Sequence, residues 1–366
     1  MPSALPETSS GLPEPSALSG LSTVSGRTFL VTGGTGSFGQ AMVGRLLAAG
    51  AADVRVFSRD EAKQDALRLR LRDPRVRFYV GDVRDRDGLL TAARGVDYVF
   101  HAAALKQVPS CEFFPLEAVR TNVLGSANVV EASERNGVLG VVLLSTDKAV
   151  QPVNAMGMTK ALTEKVAQAC ARNHPATGTT VSCVRYGNVL YSRGSVVPLF
   201  IEQIRNGQPL TVTDPSMTRF LMSLADSVKL VQHALANART GDVFIHKAHA
   251  CTIGDLATAV CNLFGVPAKF DVLGIRHGEK MFETLASQEE LARAEDFGDF
   301  LRVPVDSRDL NYSLYVDQGE RGRDSRPAYT SANAPQLGVS EIMALLASLP
   351  EVRAQLDELP ALAVAG

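Results

Sequence analysis

No tryptophan occurs among the 366 residues, and no two cysteines form a CxxC pair. The five cysteines (Cys111, Cys170, Cys183, Cys251, Cys261) are scattered and odd in number. That pattern excludes a zinc module and a disulfide framework, and it reads as reduced thiols in a cytoplasmic protein with no metal. Neither sign of charge prevails, since 37 basic residues face 39 acidic ones. A protein that holds nucleic acid by bulk charge needs a basic excess, so that class is excluded. Apolar runs are far shorter than the roughly 18 residues that span a bilayer. What the chain does have is a hydrophobic fraction of 45%, ample for a core and incompatible with global disorder.

The length suits two domains, or one large α/β unit with a smaller lobe. Residues 1–26 are rich in Ser, Pro and Gly, with Glu7 and Glu14 and no basic residue before Arg27, so they read as a disordered, functionally silent leader. From Arg27 onward short apolar runs alternate with helical segments. Strands are expected at 28–31, 54–57, 76–80, 98–101, 141–144 and 181–186. Helices are expected from the glycine turn to about Ala49 and at 61–71, 86–94, 116–136 and 155–172. Strands apolar throughout predict a parallel sheet covered on both faces. The expected fold is α/β, a Rossmann-type doubly wound parallel sheet over 27–187. A smaller mixed α/β lobe, partly interleaved with it, follows over 188–335, and a helical tail over 336–366. Within the lobe, 286–298 is acidic and helical in pattern, and 318–334 reads as a loop.

Gly33, Gly36 and Gly39 form a G-x-x-G-x-x-G turn between the first strand and its helix, with Thr35, Ser37 and Phe38 inside it. Such a turn lets the backbone approach a pyrophosphate, which the free N–H groups of the helix N-terminus then hold. An NAD enzyme places an acid at the end of the second strand to accept the ribose 2′-hydroxyl. Here Ser58 and Arg59 follow, with Lys63 one turn later, and these suit a 2′-phosphate. NADP is therefore expected over NAD, with Asp60 as the competing acid. Asp82, followed by Val83, is a candidate for the adenine edge or a plain turn acid. His101, closing an apolar strand, reads as a satisfied core histidine.

The glycine spacing, the Ala102-Ala103-Ala104 run, Asn122 and Ser145-Thr146 resemble the extended short-chain dehydrogenase/reductase family. That family carries Tyr-x-x-x-Lys on the next helix. Lys160 fits, but Met156 stands at the tyrosine position. A thioether exchanges no proton, so the acid–base work falls to another group, and Asp147-Lys148 stands immediately upstream. The segment from Leu144 to Gly157 resembles the UDP-N-acetylglucosamine 4,6-dehydratases of bacterial surface-sugar pathways. So do Ser58-Arg59-Asp60-Glu61, Lys106-Gln107-Val108-Pro109, Arg185-Tyr186-Gly187-Asn188, Ser192-Arg193-Gly194, Thr218-Arg219-Phe220 and Gly278-Glu279-Lys280. The methionine, the Arg276–Lys280 run and Arg308–Tyr312 resemble the C5-inverting branch.

The resemblance implies a redox-neutral reaction with tightly bound, recycled NADP. Hydride leaves C4 of UDP-GlcNAc, the C5 proton and C6 hydroxyl are eliminated, and the hydride returns to C6. It assigns Lys148 as the C5 base, Asp147 as the acid for the C6 hydroxyl, and Thr146 as a donor to the C4 oxygen. Lys160 holds the nicotinamide ribose. Burial and the nicotinamide cation are expected to push Lys148 toward its neutral form. Lys106, Arg193, Arg219 and Arg276 are candidates for the diphosphate, and Asn188 and Glu279 for hydroxyls or the uracil-ribose end. Lys106, Ala102, Ala103 and Asn122 also flank the cofactor. The family implies a homo-oligomer, typically a hexamer. A C5-retaining or 5,6-dehydratase and a non-catalytic NADP-binding protein are the alternatives. A 4-epimerase is disfavoured, because it keeps the tyrosine and has no use for Asp147-Lys148.

Overall fold

Short runs of β-branched and aromatic residues form the strands Thr28–Thr32 (β1), Asp53–Ser58 (β2), Val76–Val80 (β3), Tyr98–His101 (β4), Gly140–Leu144 (β5) and Thr180–Arg185 (β6). The computed structural model describes residues 24–173, 178–305 and 326–358. The leader (apart from 24–26), the 308–312 motif and the first part of the 318–334 segment lie outside these. The six strands pair in parallel in the order β3-β2-β1-β4-β5-β6. Val243–His246 extends the sheet in parallel beyond β6, and Phe300–Val303 and Glu295–Phe297 finish it as an antiparallel ribbon. The order reverses between β1 and β4, where a doubly wound sheet opens a binding crevice at its carboxyl ends.

Alternate residues of each strand enter different cores, as a sheet covered on both faces requires. Phe29, Val31, Val54 and Val56 pack with Met42, Val43 and Leu46 of the helix Ser37–Ala48 (α1) and with Val228 and Val231. Leu30, Val99, Val141 and Leu143 pack on the opposite side with Leu89, Val129, Val130 and Ala167. A third core unites the helices Val196–Arg205, Ile253–Leu263, Val339–Ser348 and Pro350–Asp357, through Phe200, Leu256, Ile342 and Val352.

The helical pattern expected over 286–298 resolves into two elements. Gln288–Leu291 is a single turn closed by a Ser287–Glu290 capping box, and Glu295–Phe297 is a strand. The strand's residues are exposed and it pairs along one edge only, so its acidic composition carries no alternation of apolar side chains. Where one helix was expected at 116–136, helical backbone runs through Pro115–Ala118, a π-helical turn at Val119–Leu124 and Gly125–Arg135.

Candidate active site

At the end of β1, Gly33 adopts φ +65°, and a Cβ there would lie 2.8 Å from the Ala103 nitrogen. A Cβ on Gly39 would lie 2.5 Å from the Gly33 oxygen, so this glycine lets α1 close onto the turn. Gly36 is exposed and precedes α1 with no side-chain cap, which leaves first-turn N–H groups open at the positive end of a 12-residue helix. These features fit a dinucleotide pyrophosphate on Gly33–Gly39, between the turn and Ala102-Ala103. Thr35 donates to the Ser58 hydroxyl (3.2 Å), and Gln64 donates to the Ser58 carbonyl (2.9 Å). Both residues are buried, so they tie β2 to the turn. Arg59 is exposed, with its guanidinium 3.4 Å from Asp82. Lys63 instead pairs with Asp60, which also caps the helix Glu61–Leu71. Burial alone would raise the Asp82 carboxyl, but Arg84 and Arg59 hold it below its ordinary value. Val83 is buried beneath Gly125. Asn122 is fully buried. It sits on the π-helical turn, and its carboxamide bonds both backbone groups of Leu105 and the Thr159 hydroxyl.

Beyond β5 the chain makes a tight 3₁₀ turn, Asp147–Ala149. The Asp147 amide donates to the Tyr186 carbonyl at 3.1 Å. Gly157, at the start of the helix Ala155–Asn173, presses so closely that a Cβ would stand 2.2 Å from the Lys148 oxygen. The turn is thereby held against the helix carrying Met156 and Lys160. Lys148 Nζ lies 3.0 Å from Asp147 Oδ1 and 3.1 Å from Glu283 Oε1. Thr146 donates to the same Asp147 oxygen at 2.8 Å. Arg219 Nε stands 4.0 Å from Glu283. Glu283 is absent from the expected site because it sits far along the chain, three residues beyond the Gly278-Glu279-Lys280 run. Only its nearness to that run offered a signal.

Burial alone does not drive Lys148 toward neutrality. Burial does favour the amine, but the charges of Asp147 and Glu283 outweigh it and raise the ammonium above its ordinary value. Lys160, by contrast, is lowered by burial to about 8, with Glu164 and Cys183 resisting. Met156 is buried in an apolar cluster with Cys111 and Ala118. His101 is buried between Thr32 (2.7 Å) and Ser126 (3.0 Å), as its place on an apolar strand suggested.

The remaining candidates fall into separate groups. Lys106 bonds the Arg193 carbonyl (2.9 Å), and the Arg193 amide reaches the Ser37 hydroxyl (3.5 Å), so these two meet at the glycine turn. Asn188 has a buried Oδ1 without a hydrogen-bond partner among the described residues. Arg276 and Glu279 share an exposed loop, which docks where Asn154 donates to the Gly278 carbonyl. Among the described residues no cluster of His, Cys, Asp or Glu is arranged to hold a metal ion, and no helix is long and apolar enough to cross a membrane.

Residues 29–305 match the polysaccharide biosynthesis protein family, and residues 306–353 match its C-terminal segment. The chain belongs to that family. A family relative, the UDP-glucose 4-epimerase of Rickettsia canadensis (strain McKiel), is 52% identical over 334 residues, covering 90% of this chain and 98% of its own. Among solved structures, Pen from Bacillus thuringiensis is 34% identical with a TM-score of 0.81, covering 89% of this chain and 99% of that one. DesIV from Streptomyces venezuelae, a dTDP-glucose 4,6-dehydratase solved with NAD and TYD bound, is 26% identical. Its TM-score is 0.63, covering 69% of this chain and 86% of that one. The family member described here thus falls among proteins named as nucleotide-sugar dehydratases and epimerases.

Proposed function

We propose that the protein is an NADP-dependent UDP-N-acetylglucosamine 4,6-dehydratase that inverts C5. The observation that carries this reading is the Asp147–Lys148 pair, held beside a buried Met156 where a hydroxyl-handling phenol would otherwise stand. A bound NADP supplies reversible hydride acceptance, so the sugar is oxidised at C4, reduced at C6 and loses one water overall. Asp147 takes the C4 hydroxyl proton as hydride leaves C4 and gives it to the departing C6 hydroxyl, while Lys148 takes the proton from C5 and later returns it, the two adjacent groups of unlike protonation habit that elimination needs. Thr146 donates to the C4 oxygen, and Lys160, on the helix above, orients the nicotinamide ribose. Arg219, Arg193, Lys106 and Arg276 neutralise the diphosphate, with Asn188 and Glu279 on hydroxyls or the uridine.

The names of the Rickettsia relatives favour a second reading, a UDP-sugar 4-epimerase. Either reaction must move the C4 hydroxyl proton without help from the Met156 thioether, but an epimerase has no use for the Asp147–Lys148 pair, which elimination needs. Incubation with UDP-GlcNAc and with UDP-glucose in deuterated water, followed by proton NMR, decides between them. The dehydratase yields a 6-methyl, 4-keto product with solvent deuterium at C5. An epimerised sugar that keeps its C6 hydroxyl and takes up no deuterium would overturn the proposal.

A further inference from the structure

Three ionisable side chains from two distant segments meet at one nitrogen. Lys148 Nζ has Asp147 Oδ1 at 3.0 Å on one side and Glu283 Oε1 at 3.1 Å on the other. Both carboxylates are buried, with side-chain exposures of 1% and 4%. The second oxygen of each, Asp147 Oδ2 and Glu283 Oε2, has no hydrogen-bond partner among the described residues. Two buried carboxylates sharing one ammonium resist full ionisation, and a proton is the cheapest way to relieve them. Among the described residues the charged groups facing Glu283 are Asp147 and Lys148 on the turn, Arg219 on the strand Thr218–Met222, and Lys280 from the preceding loop. Arg219 is 4.0 Å away and spends its Nη1 on the Thr218 carbonyl (2.8 Å), while Lys280 bonds the Val150 carbonyl (2.9 Å). Neither relieves the pair as directly as Lys148 does.

We propose that Glu283 is a positioning residue that shares the Lys148 proton, taking it up when the amine must act as a base. The inference rests on the dehydratase reading above. An ammonium held between carboxylates cannot accept the C5 proton. The proton therefore crosses the 3.1 Å gap. An N–H bond breaks with its electron pair left on nitrogen, an O–H bond forms on Glu283, and the charge of the trio is unchanged. The free amine then takes the C5 proton, while the Asp147 proton stays reserved for the C6 hydroxyl. Reprotonation of C5 by Lys148 lets the Glu283 proton return. The raised carboxyl of Glu283, pushed up by burial and by Asp147, agrees with this.

Two measurements test it, using the full-length protein with Glu283→Gln and Glu283→Asp. Infrared difference spectra recorded on adding UDP-GlcNAc at neutral pH are expected to show a protonated-carboxyl band that Glu283→Gln diminishes and Glu283→Asp keeps. For turnover, the wild type is expected to have a nearly flat kcat across neutral pH. In Glu283→Gln the Nζ proton must go to solvent, so kcat falls by about 10²-fold at neutral pH and climbs by about tenfold per pH unit. Glu283→Asp restores the flat profile. A band undiminished in Glu283→Gln overturns the proposal, and so does a Gln variant with lowered kcat but a wild-type pH profile. The infrared arm needs the bound sugar nucleotide but no turnover. A Glu283 band in a protein that forms no dehydrated sugar supports the shared proton and removes the reaction, so the two failures are told apart.

Discussion

At the glycine turn the constraints are those of backbone geometry, and they lie between Gly33 and Gly39. At the Asp147–Lys148 turn the constraints are charges, brought together from β5, from the strand bearing Arg219 and from Glu283 in the lobe. The first half of the site presents free N–H groups, which any sequence with the right stereochemistry supplies, so it suits a phosphate that many proteins bind alike. The second half tunes protons, which depends on which side chains stand within a few ångströms of one nitrogen. The glycine turn is thus set by contiguous residues of one strand–turn–helix, whereas the charge cluster depends on residues far apart in the chain.

The largest effect expected is on the second half alone. Lys148→Ala should lower product formation by a factor of about 10²–10⁴, the usual worth of a general base. NADP affinity, measured by titration calorimetry, should be unchanged. Equal loss of both would show that the two halves are not separable.

Next comes the joint between sheet and lobe. Arg185 on β6 has a side chain only 4% exposed and bonds Glu164 at 2.6 Å and Glu290 at 2.8 Å. Arg185→Met strands two carboxylates and should cost about 3–5 kcal/mol in denaturant unfolding. Adding Glu164→Gln and Glu290→Gln should recover part of it. A single variant as stable as the parent would mean that apolar contacts alone join the regions.

Within the dinucleotide half, Arg59→Ala should weaken NADP by about 10- to 100-fold, the worth of hydrogen bonds to a charged group, and leave NAD unaffected. Equal weakening of both would remove the 2′-phosphate argument.

The smallest effect is a slope. Burial, with the charge of Lys160 behind it, lowers His101 from 6.5 to about 3. The unfolded chain therefore binds this proton first. His101's contribution is whole above pH 6.5 and is lost as pH falls toward 3, at up to about 1.4 kcal/mol per pH unit. His101→Gln should flatten that limb of the stability curve, and an unaltered limb would show that carboxylates govern it.

How far the site can be read from the chain differs between the halves for a physical reason. The apolar runs mark β1 to β6 to within a residue or two, because a strand covered on both faces must be apolar along its length. The glycines mark the turn, since positive φ and contacts under 3 Å admit no side chain. The strand Glu295–Phe297 escaped, because an exposed acidic edge has no pattern to show. Lys63 was grouped with Arg59 by spacing alone, and its ammonium turned to Asp60. Glu283 lay beyond reach, since no local rule relates it to Lys148.

The sequence by itself determined the parallel α/β architecture, the phosphate-binding turn and the adjacency of Asp147 to Lys148. Strand periodicity, glycine stereochemistry and neighbouring positions are all properties of contiguous residues. Only the tertiary structure decided which charges stand against burial at Lys148, where Asp147 and Glu283 raise the ammonium that burial alone would lower. Desolvation follows from depth alone, but the opposing field depends on where Glu283 lands. The charges of Asp147 and Glu283 together oppose the loss of water at the Lys148 nitrogen, whatever the distance of Glu283 along the chain.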